Sequence, residues 1–146
     1  MADTRVQLEV EDWVRKTWLL EKLGQPFSRE RIKLTSGGVF DFDAVNGDSS
    51  IVASISTSRA RTATGKHGVG KMMKLRSDMF FLLLAPAKRR LVILTDQSMF
   101  DACQKELGAG RIPASIEILY AEIPDEMGTR LESSQQAASR EVSPRG

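Results

Sequence analysis

Apolar positions recur along this chain in two different rhythms, and the change of rhythm maps its elements. Over residues 4–23 the apolar residues Val6, Val10, Trp13, Val14 and Leu20 follow helical spacing. Thr4 and Gln7 match a capping box at the start, and Gly24 followed by Pro26 supplies the stop. From residue 27 the period falls to two. Arg29, Arg31 and Lys33 alternate with Glu30, Ile32 and Leu34, as in a strand wet on one face. Val39, Phe40, Phe42 and Val45 make the next strand, Asn46-Gly47 signals a hairpin, and Ile51, Val52, Ala53 and Ile55 make a third. The third strand is nearly all apolar at its start, which predicts a central position. A Ser-, Thr-, Gly- and Arg-rich loop over 58–70 precedes a helix from about Val69 to Leu84. Its apolar stripe is Met72, Leu75, Met79, Leu82 and Leu83, with Lys71, Lys74 and Asp78 assigned to the other side.

Pro86 ends that helix. Leu91–Leu94 reads as a buried strand, Ser98–Leu107 as a helix, and Ile116–Ile123 as a last strand. The order α-β-β-β-α-β-α-β predicts an α/β domain over residues 1–124, with a mixed central sheet and helices on its faces. Residues 125–146 lose periodicity and are expected to be a disordered tail.

Composition adds little: 41% hydrophobic and 27% charged residues are ordinary for one globular domain of 146 residues. The distribution of charge adds more. The net charge is only +2, yet Arg59–Arg90 holds nine cations and one acid, Asp78. A basic half on an acidic remainder points to a polyanion partner, or else to a solvated helix face beside a basic turn. The one cysteine, Cys103, excludes an intramolecular disulfide and a multi-cysteine metal site. It is expected to pack as a small hydrophobe. No apolar run reaches membrane-spanning length, so no membrane partner is expected and the cytoplasm is the expected location.

Two motifs carry candidate chemistry. Gly65–Lys71 followed by Met72 matches a phosphate-binding loop except at its last position, where Met72 replaces the Ser or Thr that would hold Mg²⁺. A flexible Gly-rich loop is the favoured reading, although amides opening the helix near Val69 are suited to a nucleic-acid phosphate. His67 has no Cys, Asp or second His at ligand spacing and reads as a surface histidine.

The second motif is distributed. Glu11-Asp12-Trp13-Val14-Arg15, then Leu19–Gly24, then Phe40-Asp41-Phe42-Asp43-Ala44-Val45, then Ile51–Ser56 follow one another over residues 5–95. In order and spacing they resemble the restriction-endonuclease-like, or PD-(D/E)XK, superfamily. The resemblance implies a helix glutamate, a strand aspartate and a Glu-x-Lys on the next strand. The carboxylates would hold Mg²⁺ or Mn²⁺ and the lysine would stabilise developing charge. Glu11, with Glu9 as second choice, corresponds to the helix acid and Asp43 to the strand acid. Ser54 and Ser56 stand where the Glu and Lys are due. A serine hydroxyl replaces neither a hard-metal carboxylate nor a cation. Between Ala44 and Ser77 the one acid is Asp48, in the predicted turn. Lys71 or Lys74 could supply a migrated lysine.

The expected function is therefore nucleic-acid binding on a catalytically degenerate nuclease scaffold, with no cofactor. DNA is the first choice of partner and RNA the second. Arg59, Arg61, Lys66, Lys71 and Lys74 are the expected phosphate contacts. One alternative is an active metal-dependent endonuclease using Glu11, Asp43 and Lys71 or Lys74 with Mg²⁺ or Mn²⁺. Another is a protein-interaction or assembly module, as a homodimer or within a larger restriction-type complex.

Overall fold

The computed structural model describes residues 4–60 and 69–142. Five strands form one sheet in the order β1-β2-β3-β4-β5: β1 Phe27–Lys33, β2 Val39–Asn46, β3 Ile51–Ser56, β4 Arg89–Leu94 and β5 Ile116–Tyr120. The first three make an antiparallel meander; β4 runs parallel to β3, and β5 parallel to β4. The sheet is mixed and flanked by helices, as the periodicity predicts, and β3 is its middle strand.

Both faces of β3 and β4 are covered, so neither strand needs a polar side. On one face Phe42, Val45, Val52, Val92 and Leu94 pack against helices α3 (Val69–Leu84) and α4 (Gln97–Gly108), through Leu75, Met79, Leu82 and Met99. Cys103 is buried in this core; burial and then the neighbouring Glu106 push its thiol up to about 11. On the opposite face Ala44, Ile51, Ala53, Ile55, Leu91 and Ile93 meet the N-terminal helix and the last helix.

The N-terminal helix is continuous but not uniform. It runs as α1 (Arg5–Trp13), widens into a π-helical turn over Val14–Trp18, and resumes as α2 (Leu19–Leu23). Val6, Val10 and Val14 are buried at four-residue steps, and the next buried residue, Leu19, is five further on. The wider turn absorbs that extra residue and keeps Leu19 on the sheet. Leu20, placed in the apolar stripe by helical spacing, is 46% exposed. The predicted capping box does not form: the Thr4 side chain makes no capping hydrogen bond.

The disordered tail expected over 125–146 is corrected for Asp125–Val142, which form helix α5. Ile123, Met127 and Leu131 recur at four-residue steps and pack on the second core. Arg130 pairs with Glu9 at 2.8 Å, and Gln135 Nε2 donates to the Thr57 carbonyl at 2.7 Å. Polar composition around a sparse apolar stripe masked this helix. Among the described residues no helix is long and apolar enough to cross a membrane.

Arg90 secures the C-terminal end of α3. Its Nε donates to the Leu82 carbonyl and an Nη to the Ala85 carbonyl, both at 2.8 Å. These carbonyls sit where a helix leaves acceptors unpaired and a cation is favoured. Arg90→Ala is expected to cost about 2 kcal/mol through lost charged hydrogen bonds. Chemical denaturation reads this directly, and an unchanged midpoint would refute it.

Candidate functional site

Strand alternation breaks at one place, and that place is Asp43. Ser28 pairs with Val45, but Glu30 pairs with Phe42, so β2 carries one extra residue across Asp43–Ala44. Phe42 and Val45 therefore both reach the α3 side, while Ala44 faces the other core. A bulge of this kind re-aims a side chain and bends the strand.

Next to the bulge, β2 and β3 separate. Their register pairs Ala44 with Ala53 and Val45 with Val52, whereas β3 stays paired to β4 as far as Ser56. Asp43 occupies the opening. Its Oδ2 accepts a hydrogen bond from the Ile55 amide at 2.8 Å, which fixes the carboxylate against β3. Arg15, inside the π-helical turn, donates from Nε to the Asp43 carbonyl at 2.6 Å and from an Nη to Asp12 at 2.6 Å. The wide turn thus ties the N-terminal helix to the bulge.

Groups from both sides of the sheet act on this point. Val52 faces α3, so alternation places Ser54 and Ser56 on the same face. Ser54 is buried and Ser56 half-buried. On α3, Lys74 lies 3.7 Å from Asp78 Oδ2; the lysine side chain is 76% exposed and that of Asp78 only 18%. Burial pushes the Asp78 carboxyl up, and the charge of Asp43 pushes the same way, against Lys74 and the Ser54 hydroxyl. Glu11 behaves alike. Burial raises it most, Asp43 raises it further, and Arg15, Arg29 and Lys74 oppose. Glu11, Asp43, Ser54, Lys74 and Asp78 therefore share one electrostatic neighbourhood.

Asp78 was not anticipated there. The expectation put it with Lys71 and Lys74 on the polar side of α3. Yet it stands three residues after buried Leu75 and four before buried Leu82, on the inward border. An acid at those steps from an apolar stripe was the available signal. Asp78 also lies one residue past the Ala44–Ser77 interval, in which a further carboxylate was sought.

The other expected residues fall elsewhere. Lys71 is exposed near the start of α3, one turn ahead of Lys74. Arg59 stands apart from the cluster and lines a cavity with Asp96 and Tyr120. Glu9 is engaged by Arg130, whereas Glu11 is the acid of the N-terminal helix in the neighbourhood of Asp43. Arg76 faces Glu106 at 3.4 Å. Arg61, Lys66 and His67 lie outside the described residues, as does most of the Gly65–Met72 motif.

Among the described residues no three His, Cys, Asp or Glu side chains stand close enough together to hold a metal ion. The donor chemistry nevertheless suits Mg²⁺ or Mn²⁺, because every oxygen in the cluster is hard. Mg²⁺ commonly takes one or two carboxylates and completes its shell with water and substrate phosphate. Asp43 and Asp78, or Asp43 and Glu11, are the pairs that would hold it.

The raised acids have a consequence for stability. A carboxyl with a folded-state pKa above its unfolded value favours the fold in its protonated form. That contribution is complete below the ordinary carboxylate range and is lost as pH rises through the raised value. At neutral pH, ionised Glu11 and Asp78 therefore work against the fold. Asp78→Asn is expected to raise the thermal midpoint at neutral pH, with the gain vanishing in acid. A lower midpoint at neutral pH, followed by circular dichroism, would contradict the burial of this charge.

Comparison of the chain with protein-family models, with curated proteins and with solved structures gave no match.

Proposed function

We propose that this chain acts on nucleic acid as a divalent-cation-dependent nuclease, with Lys74 and Asp78 of α3 replacing the Lys and Glu missing from β3. The convergence of Glu11, Asp43, Ser54, Lys74 and Asp78 on the opening between β2 and β3 carries this reading. The α-β-β-β-α-β-α-β order up to the end of β5 and the acidic hairpin strand support a restriction-endonuclease-like scaffold.

A bound Mg²⁺ or Mn²⁺ ion would polarise the scissile phosphate and make its water ligand more acidic. The protein's own residues do the rest. The Ile55 amide holds Asp43 in one orientation, and Arg15 holds the backbone behind it. The Lys74 ammonium, largely exposed beside Asp78, would meet a non-bridging phosphate oxygen. Ser54, on the same face of β3, would steady Asp78 from the strand. Glu11 and Asp78, both raised, are suited to holding a proton as charge develops.

Supercoiled plasmid incubated with the protein and Mn²⁺ tests this. Nicking is expected, and both chelation and Asp43→Ala are expected to remove it. Single-stranded and double-stranded DNA and RNA offered in parallel define the substrate. Intact plasmid under all conditions would overturn the enzymatic reading.

A second reading, nucleic-acid binding without cleavage, is favoured by one observation. Two serines flank the Ile55 amide that holds Asp43, and no three metal-ligand side chains among the described residues form a ready cage. Retention of DNA by a protein that never nicks it would select this reading.

A further inference from the structure

The two outer strands of the sheet, β1 and β5, are guarded very differently. The β1 edge carries Arg29, Glu30, Arg31 and Lys33, all exposed, and its register slips between Ser28 and Glu30. Charges and a bulge are what keep an open edge from pairing with another chain. β5 has neither defence. Its register with β4 is unbroken, and it carries Ile116, Ile118, Leu119 and Tyr120 with one charge, Glu117. That charge is already neutralised, since Arg89 donates to both Glu117 oxygens, at 3.0 and 2.9 Å.

Backbone alternation shows which groups of β5 are open. The Ala121 amide donates to the Leu94 carbonyl at 2.8 Å, so Ala121, and by alternation Leu119 and Glu117, turn N–H and C=O toward β4. Ile118 and Tyr120 turn theirs outward. Among the described residues no backbone partner from a turn or loop meets these outward groups, and no further strand lies beyond them. An apolar edge with free amides and carbonyls is a template for one more strand.

Charge sets the direction of the strand that fits. Acids gather at the carboxyl end of β5, where burial pushes the Tyr120 hydroxyl up first and Glu122, Asp96 and Asp101 push it further. Cations gather at the amino end. Lys88 and Arg89 stand at the start of β4, and Arg111, in the α4–β5 connection, faces Glu106. A parallel neighbour of the same kind would set acid beside acid; an antiparallel one sets acid beside base.

We propose that β5 pairs antiparallel with β5 of a second copy of this chain, about a two-fold axis at Leu119. Ile118 of each copy then faces Tyr120 of the other, and these pairs exchange the open N–H and C=O groups. The two Leu119 side chains meet at the axis, and Glu117 falls opposite Ala121. An axis at Ile118 is excluded, because it needs the Ile116 amide, which donates to the Pro113 carbonyl at 3.0 Å. Using one patch on both copies closes the assembly as a dimer. The pairing does not depend on the nuclease reading, since Asp43 lies on β2, on the other side of β3 and β4.

Sedimentation velocity of the full chain over about 1–100 μM, the range in which a modest interface changes population, is expected to show a monomer–dimer equilibrium. Leu119→Cys is expected to give a disulfide-linked dimer on mild oxidation, because residues facing each other in a non-hydrogen-bonded pair lie within disulfide reach. Glu117→Cys is expected not to, its mate being about 13 Å away along the seam. Cys103 is buried and does not compete. Ile118→Pro removes an outward N–H, a place where an edge strand tolerates proline, and is expected to weaken the dimer at least about tenfold with the circular dichroism unchanged. In the parent chain the Ile118 and Tyr120 amides are expected to exchange with deuterium more slowly at high concentration than at low. Cross-linking and exchange decide the matter even if Ile118→Pro does not fold. The proposal fails if the chain is monomeric throughout, if Glu117→Cys cross-links as readily as Leu119→Cys, if folded Ile118→Pro dimerises like the parent, or if the two amides exchange alike in monomer and dimer.

Discussion

Asp78→Ala is expected to slow Mn²⁺-dependent plasmid nicking at least about 100-fold, close to the loss expected for Asp43→Ala. The two carboxylates act on the same ion and phosphate, so their losses should not add. The Asp43→Ala, Asp78→Ala double variant is expected to be little worse than either single one. Lys74→Ala removes a cation aimed at developing charge and is expected to cost about 10²–10³-fold, the range for one such donor. Lys71→Ala, one turn ahead and outside the cluster, should change cleavage far less. Initial rates at saturating Mn²⁺ separate these cases. Full activity in Asp78→Ala beside a dead Asp43→Ala would mean that α3 does not supply the missing ligand. Glu11 and Asp43 would then be the working pair.

The order of elements was legible because most strands alternate or form a solid apolar run, and the two middle helices carry apolar residues at helical steps, although Leu83, placed in the α3 stripe, is 40% exposed. What escaped were the irregularities. A π-helical turn needs a five-residue step, and Leu19 and Leu20 are both apolar, so spacing alone favoured the wrong leucine. The bulge at Asp43–Ala44 leaves no mark in composition, because Phe42 and Val45 look equally suited to a regular strand. Both irregularities converge on the candidate site through Arg15 and Asp43. Glu11 and Asp43 were singled out because the resemblance implies a helix acid and a strand acid. Asp78 was missed because the charges of α3 were assigned to one polar face, although steps of three and four residues tie it to Leu75 and Leu82. Helix α5 was missed because Met127 and Leu131 are thinly spaced in polar surroundings.

Nucleic-acid retention is expected to fall about 100-fold between roughly 50 and 200 mM salt, the loss expected when about four phosphates are neutralised. Lys71 and Lys74 stand on the exposed side of α3, and Arg61 and Lys66 precede them in sequence. Replacing Lys71 with alanine should reduce the slope of log affinity against log salt by about one and weaken all sequences alike. The acids of the site pull the other way. Glu11, Asp43 and Asp78 repel a phosphate unless a cation neutralises them, so binding without divalent ions should be weaker than the basic residues alone would give. Asp78→Asn should therefore bind DNA more tightly than the parent in chelator, while being expected to cleave nothing in Mn²⁺. Fluorescence anisotropy of a labelled duplex measures both the slope and this inversion. A flat salt response would exclude phosphate contacts as the source of affinity. Weaker binding by Asp78→Asn would place the nucleic acid away from the opening between β2 and β3.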